Sequence, residues 1–185
     1  MNEMTRIAVA PDSFKARFTT AEFQRMCEND VFEDWKIELI NGDLERMQHP
    51  KSAHSMRQAA LMFKLAQVVG LDRALGEIGI DLGSDTVVAA DVVVLKASFQ
   101  ENRWLVPADL LLVVEVAETI RDRDLGMKRR KYAEAGVPTY WVVDGHRSVV
   151  YVFSGPDGGD YDSIMLIRFG EPLAVPGTDA TITLS

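Results

Sequence analysis

The chain has 185 residues, 47% hydrophobic and 26% charged, with a formal net charge of −8 at pH 7 and a pI near 4.9. Such a composition suits one globular domain, residues 1–185, and argues against a protein that coats long nucleic acid, although a local basic groove stays compatible with it. The lone Cys27 excludes an internal disulfide and a multi-cysteine metal site; no apolar run approaches the roughly 20 residues that span a bilayer, and the N-terminus lacks a signal-peptide apolar region, so a cytoplasmic protein with no membrane partner is expected.

Thr19-Thr20-Ala21-Glu22 reads as a capping box that opens a short helix, with Phe23, Met26 and Cys27 on one face. Residues 35–40 alternate as a strand, and Asn41-Gly42 turns it into a second strand over 44–47. The longest helical pattern runs from Ser52 to Val69, with Leu61, Leu65 and Val68 as its stripe and Gly70 as its stop. Strands are expected at 76–82, 87–96 and 110–117. A helix from about 121 to 135 ends at Gly136-Val137-Pro138. Strands at 140–143 and 148–153 flank the hairpin signal Asp144-Gly145-His146-Arg147. A glycine-rich turn over 155–159 leads to strands at 163–169 and 181–184. The sum is an α/β domain with a mixed sheet, hairpins, and one strand–helix–strand crossover over 110–143.

Two acids interrupt apolar strands. Asp91 follows Val87-Val88-Ala89-Ala90, and Glu115 sits inside the run that starts at Leu110. A carboxylate on a buried strand is costly unless it is paired. Glu38 lies in a third strand, where alternation with Ile37 and Leu39 also permits a solvent-facing position. Three strand carboxylates could converge on a hard cation such as Mg²⁺.

At about 100° per residue, Leu125, Lys128, Tyr132 and Ala135 share one helical face, with Asp124 and Lys131 at its edge. Lys128 thus stands in the stripe that packs on the sheet, within reach of Glu115. A lysine beside metal-binding carboxylates can orient a water or offset charge on a phosphate. His54, seven residues before Leu61, shares the buried face of its helix and could meet a phosphate or a carboxylate. Plainer roles stand beside these: a structural ion pair for Glu115, a snorkelling Lys128, core positions for Tyr132, Tyr140 and Trp141, and a solvated face for the charges over 121–131.

In order, Ile37-Glu38-Leu39-Ile40-Asn41-Gly42, His54 after Pro50, Asp91-Val92-Val93-Val94, Val114-Glu115-Val116, Asp124 with Lys128 and Tyr132 at four-residue steps, and Gly136-Val137-Pro138 before Tyr140-Trp141-Val142-Val143-Asp144 resemble the Uma-type family of restriction-endonuclease-like proteins. This is a branch of the PD-(D/E)xK nuclease superfamily, and the resemblance covers about residues 19–153. It implies a restriction-endonuclease-like core, a mixed central sheet flanked by helices with added hairpin strands. It implies Asp91 and Glu115 as metal ligands, Glu38 as an additional acid and Mg²⁺ (or Mn²⁺) as cofactor. The superfamily's usual lysine position, two residues after the second acid, is Ala117; the resemblance implies a lysine from the helix instead, and Lys128 fits it. Ala90 stands where a proline is usual, and Glu118 adds negative charge near the site.

The expected activity is metal-dependent hydrolysis of phosphodiester bonds, with DNA as substrate and a homodimer by analogy with double-strand cutters. Catalysis would fall to Glu38, Asp91, Glu115 and Lys128, with His54, Asp124 and Tyr132 as phosphate contacts or supports. The competing class is a nuclease-fold binding or assembly module whose acids form a structural cluster.

Overall fold

The first element forms as its sequence dictates. Thr19 donates its backbone N–H to Glu22 Oε2 at 2.9 Å and accepts the Glu22 N–H on Oγ1 at 3.2 Å, closing the capping box that opens helix α1 (Thr20–Glu28). The structure is a computed structural model that describes residues 15–98, 100–117 and 123–185. The N-terminal segment read for a signal peptide, Glu118 and the expected helix start at 121 lie outside the described residues.

Strand β1 (Ile37–Ile40) turns into β2 (Asp43–Arg46) through Asn41 and Gly42, at φ 51° and 81°. A side chain at Gly42 would also meet Arg17 Cβ at 2.9 Å, so glycine is required there on two grounds. Helix α2 (Ser52–Val69) precedes the long hairpin of β3 (Ala74–Gly83) and β4 (Thr86–Leu95). Strand β5 (Leu110–Ala117) leads to a π-helical turn (Asp124–Lys128) and helix α3 (Arg129–Glu134). Then come β6 (Thr139–Asp144), β7 (Val149–Asp157) and β8 (Asp160–Arg168). Short strands β9 (Leu173–Ala174) and β10 (Thr181–Ile182) form a separate two-stranded sheet.

Among the described residues the main sheet has eight strands in the order β2-β1-β4-β5-β6-β7-β8, with β3 also paired to β4. Of these, only β5 and β6 run parallel, the consequence of the helical crossover between them. The mixed sheet flanked by helices agrees with the sequence expectation. Several boundaries differ, β1 beginning at Ile37 and β8 at Asp160, and β9 is an addition to the expected strands. Strand β7 continues through Gly155, and the turn tightens to Gly158 and Gly159. The helix expected from 121 begins, in its described part, as a π turn rather than as α-helix.

Each face of the sheet has its own core. Val93, Val113, Tyr140, Val142 and Phe153 pack with Tyr132 and Ala133 of α3. Val92, Val94, Val114, Trp141 and Val143 pack with Leu61 and Leu65 of α2 and with Leu173 and Ile182 of the small sheet. Sequestering each such side chain contributes ~1.5–3 kcal/mol. That sum is what allows a few ionised groups to be carried inside.

The sheet forks at β4. Strand β3 takes one edge of β4 along nearly its full length. The other edge is shared: β1 meets it at Val87, and β5 meets it from Val92 to Leu95. Ala89, Ala90 and Asp91 lie in the gap. The side-chain alternation also slips there, because Val88 and Ala90 join the same core as Val93 and Leu95. On β3, the slip is matched by Glu77, at φ 48° between the Gly76–Val92 and Ile78–Ala90 pairs.

Candidate active site

Backbone groups left unpaired at a fork must find other partners. Ala89 N–H donates to Glu38 Oε1 at 2.9 Å, and Ala89 C=O accepts from Lys128 Nζ at 3.1 Å. Asp91 C=O accepts from Gln58 of α2 at 2.7 Å. Val116 N–H, near the free end of β5, donates to Asp91 Oδ2 at 2.7 Å. Side chains therefore replace the missing ladder, and this is why acids stand on apolar strands and a lysine of the crossover is buried against them.

Lys128 is the hub. Its ammonium stands 2.9 Å from Glu115 Oε1 and 3.1 Å from Glu38 Oε1. The three residues are 2%, 4% and 1% exposed, respectively, so the charges meet with little screening. Tyr132, one α-helical turn further on, donates its hydroxyl to Glu115 Oε1 at 2.8 Å. Lys128 reaches Glu115 from the face read from the sequence, and Tyr132 of that face is buried too, while Ala133 rather than Ala135 is buried beside it. Glu38 does not face solvent: it is buried and turned toward Lys128, Arg123 and the Ala89 N–H.

Arg123 completes the cluster. Its guanidinium bonds Glu38 and lies 3.0 Å from Glu45. Sequence reasoning missed it, because the charges over 121–131 read as a solvated face. Gln58 was missed too, although it lies four residues after His54 on the same helix face.

Asp91 occupies the α2 side of the fork. His54 Nε2 is 3.1 Å from Asp91 Oδ1, so the helix-start histidine does meet a carboxylate. Asp91, Glu115, Asp124, Lys128, His54 and Gln58 all line one cleft of about 800 Å³. Among the described residues, no hydrogen-bond donor reaches the Asp124 carboxylate or Glu115 Oε2. Tyr140 donates instead to the Asp124 backbone carbonyl at 3.1 Å.

The cluster carries an excess of negative charge. Burial pushes the Glu115 carboxyl well above the usual range; Lys128 pulls it back, and Asp91, Asp124 and Glu38 push it up further. Asp124 is pushed up to about 6, first by burial, with Lys128 easing the shift and Asp91 adding to it. For Lys128, burial opposes the charge, yet Glu115 and then Glu38 hold its ammonium above the ordinary lysine range. Burial, followed by Glu115, likewise raises the phenols of Tyr132 and Tyr140. Lys128 is thus a fixed cation and the wrong group for a base.

The donor set fits a hard divalent cation in one specific way. Among the described residues, no group of three histidine, cysteine, aspartate or glutamate side chains could hold a metal ion. Asp91 and Glu115 do face one cleft, with free oxygen capacity and mutual repulsion that a cation would relieve. One or two carboxylates completed by waters and phosphate is the usual protein share of a Mg²⁺ site.

A mixed sheet forked over a lysine–carboxylate cluster is the architecture of a nuclease-like α/β domain. A family model described as "Putative restriction endonuclease", Uma2, matches residues 20–185, and the chain belongs to that family. The match runs beyond the resemblance read over 19–153 and takes in β8 and the small sheet. The fold is similar to a crystal structure described as a putative nuclease belonging to DUF820 from Anabaena variabilis ATCC 29413. The two share 18% identity with a TM-score of 0.69, over 90% of this chain and 94% of that one. No curated protein matches the chain. No helix among the described residues is long and apolar enough to cross a membrane.

Proposed function

We propose that the protein is a divalent-metal-dependent endonuclease that hydrolyses DNA, with Asp91 and Glu115 holding Mg²⁺ (Mn²⁺ as a substitute). The observation that carries this reading is the shared cleft: two strand carboxylates open onto it beside a lysine that is itself bonded to one of them. Such an ion supplies charge neutralisation at the scissile phosphate and a more acidic water.

The chain's own residues do the rest. Val116 N–H and His54 fix the two Asp91 oxygens, so the carboxylate enters the cleft in one orientation. Tyr132 and Lys128 both bond Glu115 Oε1, which leaves Oε2 for a ligand. Lys128 holds positive charge where negative charge grows on the phosphate during attack. Glu38 shares its carboxylate among Lys128, Arg123 and the Ala89 N–H, so its role in this reading is to position Lys128. Asp124 supplies a further acceptor at the cleft wall.

The test couples binding to cleavage. Calorimetric titration with Mg²⁺ or Mn²⁺ should show a site that Asp91→Ala abolishes. Supercoiled plasmid should be nicked by the wild type and left intact by Glu115→Ala. Equal residual cutting by both proteins would defeat the assignment. No binding at millimolar metal would favour the module reading, which the tight neutralisation of Glu38 and Glu115 by Lys128 also suits.

A further inference from the structure

The far edge of the sheet is poorly protected. Among the described residues strand β8 pairs with β7 alone, and its centre reads Ser163-Ile164-Met165-Leu166-Ile167 without a charge or a proline. Ile164, Met165 and Leu166 are 57%, 52% and 51% exposed. Natural edge strands usually carry lysine, proline or a bulge against edge-to-edge pairing. Across this stretch the pairing to β7 is continuous, from Ser163 opposite Ser154 to Ile167 opposite Val150.

The direction of the free hydrogen-bonding groups follows from their neighbours. Phe169 N–H donates back toward β7, to Ser148. The next outward N–H, at Arg168, is already taken by Glu171 Oε2 at 2.9 Å. By alternation, Leu166 and Ile164 turn their N–H and C=O outward.

We infer that β8 is a homodimer interface, formed by antiparallel pairing with a second copy about a two-fold axis through Met165. In this register Ile164 of one copy exchanges both hydrogen bonds with Leu166 of the other, and the reverse. Met165 faces its own counterpart. Asp162 stands opposite Arg168 of the second copy at both ends; neither has an ion-pair partner among the described residues. The same patch is thus complementary to itself in hydrogen bonds, apolar side chains and charge, as a two-fold interface requires. The clefts lie towards the other end of each sheet, so neither is covered.

Sedimentation of the full chain should show a closed dimer. Ile164→Lys with Leu166→Lys places like charges in register and should give a folded monomer with an unchanged far-UV spectrum. Asp162→Lys should raise the dimer Kd by roughly tenfold through two like-charge pairs. Adding Arg168→Asp should restore it. In a Cys27→Ser background, Met165→Cys should crosslink to itself on oxidation. A wild type that stays monomeric, a dimer indifferent to both charge variants, or open-ended oligomers would overturn the inference.

Discussion

Lys128 donates to the carbonyl of Ala89 across 3.1 Å, joining the helix after β5 to the unpaired edge of β4. The bond fills a gap in the sheet ladder with an ion. A group needed to close the fold is thereby the same group that stands ready in the cleft.

Removing that ion should be expensive. Lys128→Met leaves Glu38, Glu115 and the Ala89 carbonyl buried without their partner, and breaking a buried pair this way costs about 3–5 kcal/mol. Urea unfolding should show that loss. The Lys128→Met, Glu115→Gln pair should recover part of it, because one stranded charge is gone.

Tyr132→Phe should be milder. It deletes one hydrogen bond to Glu115 and keeps the ring packed against Tyr140, whose centroid is 4.9 Å away. We expect ~1–2 kcal/mol less stability and a lower turnover with nearly unchanged DNA affinity. A fall in DNA affinity with turnover intact would place the hydroxyl at substrate instead.

Asp124 predicts a pH signature. Its pKa is raised to about 6 from the ordinary aspartate value of 3.8, so folding disfavours its ionised form. The stability it contributes is complete below pH 4 and is lost as pH rises through 6. Without metal, Asp124→Asn should match the wild type at pH 4 and exceed it above pH 7, by on the order of 2 kcal/mol. Thermal unfolding across that range checks the sign. Metal affinity should rise over the same window, since bound carboxylates must be ionised.

Asp109 should behave oppositely. It caps the turn before β5 through Val106 N–H at 2.9 Å and pairs with Arg103 at 2.9 Å. The Arg103 bond leads the forces that hold its carboxyl below the usual range. The stability it contributes is present above about pH 4 and is lost as pH falls through the lowered value. Asp109→Ala should cost about 1 kcal/mol at pH 7, and the difference should shrink in acid.

Much of the site was legible from local pattern. The acid inside an apolar run identified Glu115, and the helical period placed Lys128 and Tyr132 on the face that meets it. Period also put His54 on the buried side of α2. Arg123 and the burial of Glu38 were not legible. Periodicity reports which residues share a face of their own element, and it is silent about which other element covers that face.

Local pattern along the chain was enough for the capping box, the Asn-Gly hairpin, the crossover helix and the family. Those depend on neighbours a few residues apart, or on motifs short enough to survive as patterns. That β1 and β5 share one edge of β4, and that side chains close the gap between them, is set by the folded sheet. That arrangement is long-range: it depends on strand pairing between residues as distant as Leu39 and Val87. Ala89 and Ala90 pair with β3 on one side, but on the other, among the described residues, they and Asp91 face no strand, and that is where the acids and Lys128 are needed, because buried backbone groups must be satisfied.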